Sequence, residues 1–105
     1  MRVISRKANQ LFTSFHTRRA NGDLEINQLI QAKVLMECVA VASRMPRLHE
    51  KLGLMLKVYY LTEKIELNSK LTDIETQLIA DLKSLSEKEI SRLDHALKFE
   101  EIKCA

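Results

Sequence analysis

The chain has 105 residues, 46% of them hydrophobic, with two Gly, one Pro, no Trp and a formal net charge of +3. That length is one domain, residues 1–105, with a modest core, and a composition rich in Leu, Lys, Glu, Ile and Ala but poor in turn formers favours helix over sheet. Two cysteines exclude a disulfide framework, and no apolar run reaches the roughly 18 residues that span a bilayer, so a cytoplasmic protein without a transmembrane segment is expected.

Ile4, Ala8, Leu11, Phe12 and Phe15 fall at the spacing of a single helical stripe, which predicts an amphipathic first helix. Residues 1–20 carry Arg2, Arg6, Lys7, Arg18 and Arg19 and no acid, so a polyanion would meet the chain here. The same bias also fits a mitochondrial transit peptide. Asn21-Gly22-Asp23 predicts the stop: Gly22 supplies a left-handed residue, and Asp23 supplies an oxygen to cap a second helix from about Leu24.

Apolar residues ring that second helix through Leu35, Met36, Val39 and Ala42, with Glu37 the only charge between Val34 and Ala42. Ser43 and Pro46 end it, because proline cannot continue a helix but suits the start of the next. The third helix, with Leu48, Leu52, Met55, Val58, Tyr59, Tyr60, Leu61 and Ile65, is again apolar around most of its circumference. A core stripe uses about half of such positions, so this central hairpin is expected to present apolar area to a neighbour.

Asn68-Ser69-Lys70 reads as the next connection. Thr72 with Glu75, and again Ser86 with Glu89, has the spacing of a capping box, which predicts two short helices over roughly 72–84 and 86–101. From Leu61 onward ten acids face seven bases, so the basic character belongs to the N-terminal end.

No spacing here names a catalytic, cofactor-binding or metal residue. His16, His49 and His95 lie on different helices without a partner at i, i+3 or i, i+4, and nothing basic stands near Cys38 in sequence to activate it. Glu37 reads as a general base or partner anchor only if it is buried; otherwise Lys33, one turn earlier, makes it a structural ion pair.

Residues 71–93, LTDIETQLIADLKSLSEKEISRL, resemble a DNA-binding helix-turn-helix, with Ala80 on the first helix, Leu85 and Ser86 in the turn, and Ile90, Ser91 and Arg92 on the second, and are similar to the LuxR-type pattern in Leu71-Thr72 and Leu85-Ser86-x-Lys88-Glu89-Ile90. The resemblance implies a nucleic-acid-binding regulator. Ser84 stands where such turns place Gly, and Glu87, Glu89 and Asp94 oppose phosphate neutralisation. Lys64-Ile65 and the Leu71 to Leu82 stretch are similar to the small basic four-helix bacteriocin immunity proteins. The intervening spacing is longer than theirs, and no role is carried across on it.

The sequence therefore predicts an all-α antiparallel bundle of four to five helices around a central apolar hairpin. Its expected function is a non-enzymatic protein-binding module of adaptor, chaperone or anti-activator type, working as a homodimer through Leu35, Met36, Val39, Met55, Tyr59 and Tyr60. The alternative is a nucleic-acid-binding regulator using residues 71–93 or the basic first helix, through Arg2, Arg6, Lys7, Arg18 and Arg19. No cofactor and no small-molecule substrate are expected.

Overall fold

The structure, a computed structural model, describes residues 1–104, with side chains described through residue 100. Four helices follow one another: α1 (Arg2–Ala20), α2 (Ile26–Arg44), α3 (Leu48–Asn68) and α4 (Asp73–Cys104). Each packs on its chain neighbours and α1 closes against α4, while the diagonal pairs α1/α3 and α2/α4 make no close backbone approach among the described residues. This is an up-down-up-down antiparallel four-helix bundle.

The connections follow the local chemistry closely. Gly22 takes φ 77 after α1, the left-handed conformation that Gly alone adopts without strain. Glu25, not Asp23, caps α2: the Gln28 side-chain oxygen accepts the Glu25 amide at 3.3 Å, while Asp23 pairs with Arg18 at 3.3 Å instead. Met45 is extended before Pro46, as the proline ring requires of its predecessor, and the chain re-enters helix at Leu48. At the start of α4 the capping box forms as predicted: the Glu75 amide donates to Thr72 Oγ1 at 3.2 Å, and the Thr72 amide donates to Glu75 Oε1 at 3.1 Å.

The second capping box does not form. Residues 71–93 are not a helix-turn-helix, because α4 runs unbroken through Ser84-Leu85-Ser86. Glu75, Ile79, Leu82, Ser86 and Leu93 recur at helical spacing and are all buried, so the inward stripe crosses the supposed turn without a phase change. No Gly or Pro stops the helix there, and burial along the whole stripe outweighs the local preference of Ser86 for a cap. The Ser86 hydroxyl lies wholly buried without a hydrogen-bond partner.

One core runs the length of the bundle, from Ile4, Ala8, Leu11 and Phe15 of α1 through Leu35, Val39, Met55 and Ile65 to Ile79, Leu82 and Leu93. The first helix is thus a structural wall of the domain. At 32 residues α4 is about 48 Å long and outruns its partners, giving extents of 56 × 21 × 20 Å and a radius of gyration of 14.9 Å. A globule of this length would have a radius near 13 Å. No helix among the described residues is long and apolar enough to cross a membrane.

Candidate interaction surface

The six residues expected at a partner surface do not share one. Leu35 and Met55 are 0% exposed and Val39 1%, all inside the bundle's own core. Met36 is half-buried against that core. Tyr59 leans toward α4, where the Glu87 carboxylate, together with Glu63 one turn on along α3, pushes its pKa up to about 12, and the Lys83 ammonium lies 5.7 Å from its ring. Tyr60 alone faces outward, 61% exposed, with the Lys64 ammonium 6.0 Å from its ring. The flanking helices supply more cover than the sequence promised, because α1 and α4 each bury a full apolar stripe against the hairpin.

The hairpin nonetheless keeps an open apolar face, made of other residues. Of the nine large hydrophobic residues exposed among those described, six lie on α2 and α3: Ile26, Ile30, Val41, Leu56, Tyr60 and Leu67. On α2 they fall in one outward stripe with Lys33, Glu37 and Arg44, and on α3 in another with Gly53, Lys57 and Lys64. The two stripes lie on neighbouring antiparallel helices. Their register is set at the open end, where Gln28 Nε2 donates to the Asn68 carbonyl at 2.7 Å. The residues missed by sequence are the second stripe of a helix that carries two, and the pattern contains nothing that ranks one above the other.

Glu37 belongs to this exposed stripe, with Lys33 at 4.0 Å, so it is the structural ion pair and not a buried base. Cys38 lies just beneath, buried among apolar side chains, and burial pushes its thiol pKa up despite the opposing charge of Lys57. A raised thiol is a poor nucleophile at neutral pH. Among the described residues no three His, Cys, Asp or Glu side chains converge in the manner of a metal site. The Cys104 side chain lies outside the described residues.

The basic N-terminal helix is also largely engaged internally. Lys7 Nζ meets Asp81 Oδ2 at 2.8 Å and holds that carboxyl below its usual pKa. Arg18 Nη1 donates to Glu75 Oε1 at 2.5 Å, Ser14 Oγ donates to Glu75 Oε2 at 2.5 Å, and Arg19 donates to the Leu24 carbonyl at 2.9 Å. Of the five cations expected to meet a polyanion, only Arg2 and Arg6 are exposed and lack a protein partner among the described residues.

Surface hollows open elsewhere among the described residues. One, of about 680 Å³, runs along the outer side of α1 past Asn9, Thr13, Thr17 and Ile74. Another, of about 550 Å³, lies at the loop end between Arg19, Glu25 and Lys70. Neither brings a nucleophile to a base. No family model matches this chain, and neither does any curated protein or solved structure.

Proposed function

We propose that the chain is a non-enzymatic protein-binding module of the cytoplasm, acting as an adaptor, chaperone or anti-activator by presenting the outer face of the α2–α3 hairpin to a partner. One observation carries the reading: six of the nine large hydrophobic residues exposed among those described lie on α2 and α3. Exposed apolar area concentrated on one part of a small domain is a mark of an interface. The first partner to test is a second copy, since a homodimer is the commonest way to cover such a face.

The test is light scattering over a dilution series, on the native chain and on Leu56→Asp. A concentration-dependent dimer that Leu56→Asp reduces to monomer supports self-association through this face. A compact monomer at every concentration removes the homodimer, and the binding reading then rests on a different protein.

A nucleic-acid role loses its helix-turn-helix to the continuity of α4 and keeps two unengaged arginines of α1. Binding to duplex DNA that weakens steeply with salt would restore it.

A further inference from the structure

Gly53 sits in the interior of α3, where glycine is a poorer helix former than alanine. Gly22 is the one glycine with a left-handed φ, so the backbone at Gly53 does not call for it. Packing does not call for it either, because a Cβ built there would meet nothing within 4 Å. What the missing side chain changes lies outside the bundle. Bare backbone on the exposed stripe lets another chain approach α3 more closely than any larger residue would allow.

The charges on this face decide what approaches. Its exposed cations are Lys33, Arg44, Lys57 and Lys64. Its acids are already matched: Glu37 stands 4.0 Å from Lys33, and Glu50, at the loop end of α3, stands 3.4 Å from Arg47. Among the described residues Arg44, Lys57 and Lys64 have no carboxylate partner, which leaves positive charge beside the exposed apolar residues. A second copy presenting the same face would bring a second set of these cations to one interface, and an excess of like charge there opposes association. A helix with an apolar ridge and carboxylates along its flanks fills the stripe and neutralises the rim.

We infer that the α2–α3 face is a docking site for an acidic amphipathic helix of another protein, crossing α3 at Gly53 with its carboxylates toward Lys57, Lys64 and Arg44. The inference rests on the protein-binding reading above and names the chemistry of the partner.

Titration of the full chain with a fluorescently labelled amphipathic peptide, Leu along one face and Glu on both flanks, tests it beside a matched peptide carrying Lys in place of Glu. The Glu peptide binds and the Lys peptide does not. Binding falls about tenfold in the double variant Lys57→Glu, Lys64→Glu, and again in Gly53→Leu, whose helicity and melting are not below the native level because the added side chain points into open space and Leu is the better helix former. Equal binding of both peptides overturns the charge argument, and native affinity in Gly53→Leu overturns the crossing point. Binding to phosphatidylglycerol vesicles without peptide binding assigns the face to an anionic membrane instead. Self-association abolished by Leu56→Asp, without peptide binding, overturns the acidic partner and leaves the protein-binding reading standing. Absence of peptide binding and self-association alike overturns the acidic partner and removes the homodimer.

Discussion

Along the α1–α4 seam, Lys7 reaches Asp81 while Arg18 and Ser14 converge on the wholly buried Glu75. Across α2 and α3, by contrast, the described residues share one such side-chain hydrogen bond, from Gln28 to the Asn68 carbonyl at their open end. The seam is joined by directional polar contacts that fix register and leave little unsatisfied. The hairpin is joined by apolar packing, which fixes distance but not direction, and it carries an apolar stripe on its far side as well. Polar specificity in this molecule is directed inward at the seam, and unpaired apolar area is directed outward at the hairpin.

The largest expected effect breaks the seam. Arg18→Leu leaves the Glu75 carboxylate buried without its cation, and urea denaturation is expected to show a loss of about 3 to 5 kcal/mol. Adding Glu75→Leu to that variant recovers most of the loss, because the uncompensated charge and not the missing bridge dominates. Losses that simply add would mean that the two side chains act independently.

Ser86→Ala goes the other way. Its hydroxyl is buried without a partner in the middle of α4, so removing it is expected to raise stability by about 1 kcal/mol by the same measurement. A drop would show that the hydroxyl is satisfied in solution, by water or by a back-bond to its own helix.

On the hairpin the expected changes in stability are smaller. Gly53→Ala adds a helix-favouring methyl in open space and raises stability by about 0.5 to 1 kcal/mol, a rise of a few degrees in Tm. Leu56→Asp, half exposed on the same stripe, changes stability by no more than about 0.5 kcal/mol while acting on association. A large loss of stability in either variant would make the outer stripe part of the fold and erase the contrast with the seam.

The last prediction concerns pH. Tyr59 is held protonated by Glu87 and Glu63, with its pKa raised from 10.0 to about 12. Its contribution is fully present below the ordinary phenol pKa and is lost as pH rises through the folded value, so stability falls on the alkaline side between the two. Absorbance titration of the tyrosines shows a late step that Tyr59→Phe removes; loss of the late step in Tyr60→Phe instead would place the carboxylates at the wrong ring.

Much of the fold is legible in the residues themselves. Gly22, Pro46 and the Asn68-Ser69-Lys70 segment break the helices where the chain turns, and Thr72 with Glu75 marks the start of α4. The α1 stripe of Ile4, Ala8, Leu11 and Phe15 is buried as its spacing implies. These signals are local: each depends on the conformational preference or hydrogen-bonding reach of residues within about one turn, and no distant partner is needed to interpret them.

Three features needed the tertiary structure. Ser86-Lys88-Glu89 has the local form of a helix start, yet α4 continues, because the stripe from Ile79 to Leu93 is buried on both sides of it. Glu75 reads as a capping residue only, yet it also receives Arg18 from 57 residues away. On α2 and α3, finally, apolar residues occupy most of the circumference, and a helix whose polar residues leave no clear polar side has a period but no clear phase. Only the placement of α1 and α4 turned Leu35, Val39 and Met55 inward and left Ile30, Val41 and Leu56 outside, since which stripe loses contact with water is settled by the neighbours and not by the helix that carries it.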